Sequence, residues 1–126
     1  MAEENVLKAK SYAFALRVVR MHQHLSDKNR EFVLSEQALR SGTSIGSLIR
    51  EAESAESDTD FIHKLSIALK EAHETAYWLL LLKDTKYIDA KIYTSISNDC
   101  NEIIKILASS IITLKSKKRK NKVALL

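Results

Sequence analysis

The chain has 126 residues with no proline, two glycines, one cysteine, and 20 Lys plus Arg against 16 Asp plus Glu, a net of +4. That length supports one domain, in which a compact fold buries about two thirds of the unfolded chain's surface. All-β sandwiches and barrels need frequent turns, which the missing prolines and scarce glycines do not supply, and a hydrophobic content of 45% is too high for a disordered chain. A single cysteine excludes an internal disulfide framework and a Cys-rich zinc site.

The stretch Met1-Ala2-Glu3-Glu4-Asn5 is acidic and polar, unlike the basic n-region and apolar core of a secretory signal. The longest unbroken apolar run, Ala76 to Leu82, falls far short of the ~20 residues a membrane span requires. A cytoplasmic location is therefore the expectation.

Four periodic segments follow one another. From about Glu4 to Leu25, Tyr12, Leu16 and Val19 recur at three- and four-residue steps, with Val18, Met21 and Leu25 on a neighbouring row; this is one face of an amphipathic helix. Ser26-Asp27-Lys28-Asn29-Arg30 supplies cap and turn formers for a break. A second helix is expected from about Ser35 to Ser54, where Leu34, Ala38, Ile45, Ile49 and Ala52 lie within about 60° of one another at 100° per residue.

The third helix begins at Ser57-Asp58-Thr59-Asp60, where Ser57 can cap free amides and both aspartates favour the positive end of the helix dipole. Its apolar rows are Phe61, Leu65, Ala68, Ala72, Leu79 and Ile62, Leu69, Ala76, Leu80, and Lys83-Asp84-Thr85-Lys86 ends it. The fourth starts after Asp89, a candidate N-cap, with the row Ile92, Ile96, Cys100, Ile103, Leu107, Ile111 and Leu114. Steps of four and three sustained over that length form a coiled-coil-like seam that no strand can follow. Four helices with short connections predict an all-α, antiparallel up-down-up-down four-helix bundle over residues 1–114.

The net charge changes meaning once it is located. Lys115, Lys117, Lys118, Arg119, Lys120 and Lys122 are six bases in eight residues. Without them the chain holds 14 basic and 16 acidic residues, a net of −2. The expectation is a nearly neutral bundle followed, over residues 115–126, by a basic disordered tail.

Enzymatic motifs fail on context. Gly42-Thr43-Ser44-Ile45-Gly46 fits G-x-S-x-G, but the nucleophile elbow needs a preceding strand and a tight turn, and this pentapeptide lies mid-helix. Gly42 and Gly46 instead read as a flat strip for close helix packing, which offsets the ~1 kcal/mol each glycine costs in a helix. A di-iron bundle needs Glu-x-x-His on two helices; Asp60-x-x-His63 is the nearest approach and occurs once. His22 and His24 are two residues apart and point to different faces. No catalytic residue, metal or cofactor is expected, the histidines read as surface or boundary residues, and Cys100 as a small buried hydrophobe.

A polar stripe runs along the second segment: Gln37, Arg40, Ser44 and Glu51 fall on one face about 100° from the apolar row. Glu36 and Arg40 are a favourable i,i+4 pair on a solvated face; alternatively the stripe forms an interhelical polar network that includes Glu74 on the third segment.

Gln37, Arg40, Thr43-Ser44-Ile45, Ile49, Glu51-Ala52, Phe61, Lys64-Leu65, Ala68, Glu71-Ala72, Glu74-Thr75 and Trp78-Leu79 together resemble small bacterial four-helix bundle proteins first noted in intervening sequences of 23S ribosomal RNA genes. That family is similar to the accessory variability proteins of diversity-generating retroelements. The resemblance spans about Leu7 to Leu114. Where the family pattern has Asn, this chain has Leu48, which removes an amide from the polar stripe. The resemblance implies an antiparallel bundle assembled as a ring-like homo-oligomer, a pentamer in the retroelement branch. It further implies a non-enzymatic role tied to RNA or a reverse transcriptase, with binding through a basic surface of the ring.

Two functions remain in view. One is a nucleic-acid-binding adaptor for RNA or DNA using the six basic residues of the tail together with the scattered Arg17, Arg20, Arg40 and Arg50. The other is a protein–protein interaction scaffold with no nucleic-acid contact. Tyr12, Tyr87 and Tyr93 read as core or boundary residues, so base stacking and sequence-specific recognition are not indicated.

Overall fold

The structure, a computed structural model, describes residues 2–125, with side chains from Asn5 to Leu125. It contains four helices: α1 (Ala2–Lys28), α2 (Val33–Ala52), α3 (Asp58–Asp84) and α4 (Ala90–Ala124). Each packs against its neighbour in sequence, and α1 closes the ring against α4. The direction of every pair is written in its cross-contacts. His22 meets Ser35 while Lys8 meets Glu53, and Thr75 meets Ser41 while Lys64 meets Glu51. Cys100 meets Ala72 while Lys118 meets Thr59, and Arg17 meets Asp99 while Lys10 meets Glu102. In each case one number rises as the other falls, so all four adjacent pairs are antiparallel and the bundle is up-down-up-down.

Local chemistry sets the ends. Ser57 Oγ accepts the Asp60 N–H at 3.0 Å and Asp89 Oδ1 accepts the Ile92 N–H at 2.8 Å, both as N-caps. At the end of α3, Lys86 takes a left-handed φ of 68°. Its N–H bonds the Lys83 carbonyl, and the Tyr87 N–H bonds the Leu82 carbonyl, both at 2.9 Å: a Schellman closure without glycine. The first break differs from expectation. Ser26-Asp27-Lys28 remain helical, and the chain turns at residues 29–32, where Arg30 has φ 56°. α2 then starts under a cap that the sequence did not advertise. Glu31, 8% exposed, accepts the N–H groups of Val33, Leu34 and Ser35 at 3.1, 3.1 and 2.7 Å. A carboxylate at that place satisfies three orphan donors and faces the positive end of the helix dipole.

The core comprises Leu7, Phe14, Val18 and Leu25 of α1, Ala38, Ile45, Ile49 and Ala52 of α2, Ile62, Leu65, Ala68, Ala72, Leu79 and Leu82 of α3, Ile88, and Ile96, Cys100, Ile103, Leu107 and Ile111 of α4. The expected rows of α2 and α4 face inward over most of their length. The expected leading row of α1 does not: Tyr12 is 55% and Leu16 37% exposed, Val19 is half-buried, and the buried row is Leu7, Ser11, Phe14, Val18 and Leu25. α1 has apolar side chains on two faces, and periodicity cannot choose between them. Packing chooses. A Cβ on Gly42 would lie 3.0 Å from both γ-carbons of Val18, and one on Gly46 would lie 3.3 Å from Ser11 Oγ. The glycine strip of α2 therefore receives the Ser11–Val18 row of α1 at close range.

Candidate nucleic-acid interface

The basic segment is helix, which corrects the expectation of a disordered tail. No proline or glycine follows Gly46, Lys and Arg have high helix propensity, and cations near a helix C-terminus interact favourably with its dipole. Nothing stops α4 at Leu114, and it continues to Ala124. Lys115, Lys117, Lys118, Arg119, Lys120 and Lys122 are all exposed.

Their surroundings differ. Because α4 runs antiparallel to α3, its basic turns pass the start of α3. Lys118 Nζ donates to Thr59 Oγ1, and Lys117, Lys118, Asn121 and Leu114 line one groove with Asp58, Phe61 and Ile62. Arg119 and Lys120 line a separate, more open concavity with Ser116, Val123 and Ala124.

None of the scattered arginines lines either concavity. Arg17 donates from Nη1 to Asp99 at 2.7 Å and from Nη2 to Ser95 Oγ at 3.1 Å. Arg40 is held by Glu71 at 3.4 Å and by Glu74. The Arg50 guanidinium lies 5.6 Å from the centre of the Tyr12 ring, a cation–π contact that uses the exposed face of α1. Arg20 is exposed. Tyr93 is half-buried beneath Lys83 Nζ at 4.8 Å, whereas Tyr12 and Tyr87 are exposed.

The polar stripe of α2 divides. Arg40, Glu71 and Glu74 form one network across α2 and α3, extended by Trp78 Nε1, which donates to Glu74 Oε2 at 3.4 Å. Glu51 instead pairs with Lys64 at 3.5 Å. Ser44 Oγ donates to its own helix at the Arg40 carbonyl, 2.6 Å away, and Gln37 is exposed and accepts Ser41 Oγ at its carbonyl, 3.0 Å away. Leu48 is half-buried against the core. Sequence reasoning missed the buried polar pair beneath the stripe: Thr75 donates to Ser41 Oγ at 2.8 Å, and both residues are fully buried. It also missed the contact between His22 Nδ1 and the buried Ser35 Oγ, 2.9 Å apart. A serine or threonine at an inward heptad position was the available signal.

The Gly-x-Ser-x-Gly pentapeptide is helical throughout, with both glycines buried. His24, His63 and His73 are exposed and His22 is half-buried. Among the described residues no three His, Cys, Asp or Glu side chains come together as a metal-binding group. The Cys100 thiol donates to the Ala72 carbonyl at 3.4 Å; burial first, and then the Asp99 charge, push its pKa up to about 12, so it is an unreactive thiol. A groove between α1 and α4, lined by Lys10, Ala13, Phe14, Asp99, Glu102 and Ile103, has about 150 Å³. Small-molecule sites start at about 300 Å³. Among the described residues no helix is long and apolar enough to cross a membrane.

A family profile described as "23S rRNA-intervening sequence protein" matches residues 3–109. The chain belongs to that family. A similar solved structure, from Bacteroides thetaiotaomicron, is 57% identical with a TM-score of 0.85, covering 86% of this chain and 97% of its own. It is described as a protein with unknown function from the S23 ribosomal protein family. No curated protein matches the sequence. Neither comparison points to an enzyme family. The family match ends at residue 109, ahead of all six bases of the α4 extension, and the matched stretch holds every one of the 14 other bases and all 16 acids. The basic turns thus lie outside the stretch that the family profile matches.

Proposed function

We propose that this chain is a non-enzymatic, cytoplasmic adaptor that binds nucleic acid, RNA in the first instance, through the basic turns of α4. The observation that carries this reading is six exposed cations in eight residues on a helix extending from a bundle whose own charge is −2. A helix holds those charges in fixed relation, so less conformational freedom is lost on binding than from a disordered tail. The contact is with phosphates, so affinity is salt-dependent and sequence-tolerant. The chain assembles as a homo-oligomer, a pentamer by its resemblance to the retroelement proteins. Repetition of the segment around a ring raises avidity. A reverse transcriptase is the protein partner that the same resemblance suggests.

The test is fluorescence anisotropy of labelled single-stranded RNA across a salt series, comparing the full chain with one ending at Leu114. With three to six charges on phosphates, affinity falls by roughly one to three powers of ten between 50 and 200 mM salt, and the shortened chain does not bind. Equal, salt-independent behaviour of both chains refutes the reading.

A second reading, a protein-interaction scaffold without nucleic acid, is favoured by the exposed apolar face of α1, where Val6, Tyr12 and Leu16 are 41%, 55% and 37% exposed. It predicts oligomers by light scattering that RNA leaves unchanged.

A further inference from the structure

We infer that five of the six bases of the α4 extension divide into two working groups. Lys117 and Lys118 anchor the helix to the acidic start of α3, and Arg119, Lys120 and Lys122 are the residues that meet a polyanion. This deepens the reading above and rests on it.

The division follows from the register of two antiparallel helices. Cys100 lies at Ala72 and Lys118 at Thr59, so α4 passes the first residue of α3, Asp58, within about one residue of Lys118. Up to that level α4 runs beside α3. Lys118 reaches Thr59, which stands between Asp58 and Asp60, and Lys117 shares the groove containing Asp58. Both lysines line the groove that holds Asp58, and a negative charge there competes with an incoming phosphate. Against the direction of Lys118, Arg119 is turned about 100° and Lys120 about 160° at 100° per residue, and both line the other concavity. Lys122 points within about 40° of Lys118 but lies about 6 Å further along the axis, past the start of α3. Three cations therefore lie away from the start of α3, and two lie against it. Lys115, about 60° from Lys118 and one turn earlier, flanks both groups.

The salt dependence of binding reads this division directly. Each charge that meets a phosphate of single-stranded RNA contributes about −0.7 to the slope of log affinity against log salt. The experiment compares the full chain with K117Q/K118Q and with R119Q/K120Q/K122Q, on fluorescein-labelled oligouridine; Gln keeps helix propensity while removing charge. Removal of the three free cations is expected to flatten the slope by about two units. Removal of the two anchors is expected to change it by less than about half a unit. Amide hydrogen exchange supplies the readout that anchoring alone would move: residues 115–120 should exchange faster in K117Q/K118Q and at the parental rate before the substituted turn in the triple variant. Slope losses proportional to the number of charges removed, or parental exchange in K117Q/K118Q, overturn the division. Absence of salt-dependent binding by the full chain overturns the underlying reading instead.

Discussion

The two halves of α4 are continuous as backbone and unlike in every other respect. From Ile96 to Ile111 the helix buries Ile96, Cys100, Ile103, Leu107, Ser110 and Ile111. From Lys115 to Leu125 every residue is exposed, including Val123 at 62% and Leu125 at 89%. The contrast separates two quantities that are easily conflated. Helix formation is decided locally, by propensity and the absence of a stop signal, and both halves satisfy it. Contribution to global stability depends on apolar area removed from water, and only the first half has partners to remove it.

The largest test of this contrast is a pair of truncations. Leu107→Ala, at a position with no exposure, should cost about 2–5 kcal/mol in urea unfolding, whereas Val123→Ala should change stability by less than about 0.5 kcal/mol. Comparable losses would mean that the extension folds back onto the core. Next in size is Gly42→Ala. It gains about 1 kcal/mol of helix propensity but drives a methyl against Val18 at 3.0 Å, with an overpacking cost of about 1–3 kcal/mol. A net loss of about 1 kcal/mol is expected, with Gly46→Ala nearer neutral because its neighbour is the small Ser11 hydroxyl.

Alkaline pH probes the buried half of α4 alone. The native Cys100 pKa is raised from 9.0 to about 12, so between those values the folded state holds a proton that the unfolded state has released. The corresponding stability is complete below pH 9 and lost as pH rises towards 12, by at most about 1.4 kcal/mol per unit. Thiolate absorbance should be absent from the native protein at pH 10 and appear on unfolding, and Cys100→Ala should remove that part of the pH dependence. The smallest effect belongs to the surface network. Arg40→Met leaves Glu71 and Glu74 without their shared cation, but Arg40 and Glu74 are well exposed, so thermal unfolding should register a loss of about 0.5–1 kcal/mol. A loss beyond about 2 kcal/mol would show the network to be part of the core.

Much of this architecture was legible from residue spacing. The Ser57 and Asp89 caps and the inward rows of α2 and α4 follow from rules that act within a few residues. The interaction of Arg40 with Glu74 was visible as a stripe opposite a facing acid. Three features were not legible. Tyr12, Leu16 and Val19 have the same period as the buried Leu7, Phe14 and Val18, and a period carries no information about which of two apolar faces finds a partner. Glu31 looks like a turn residue until the chain folds back and presents three free amides to it. The basic segment has the composition of a disordered tail, and continuity with a packed helix removes the nucleation cost that would leave it unfolded alone.

By itself the sequence determined the helices, most of their ends, the antiparallel connectivity and the concentration of positive charge after Leu114, because caps, propensity and short connections act locally. Tertiary structure decided which face of α1 is inside, since only the glycine strip of α2 admits Ser11 and Val18 so closely. It also decided which bases lie against the bundle, because the register between α3 and α4 puts Lys118 on Thr59 and Lys117 and Lys118 in the groove with Asp58, and carries Arg119, Lys120 and Lys122 away from it.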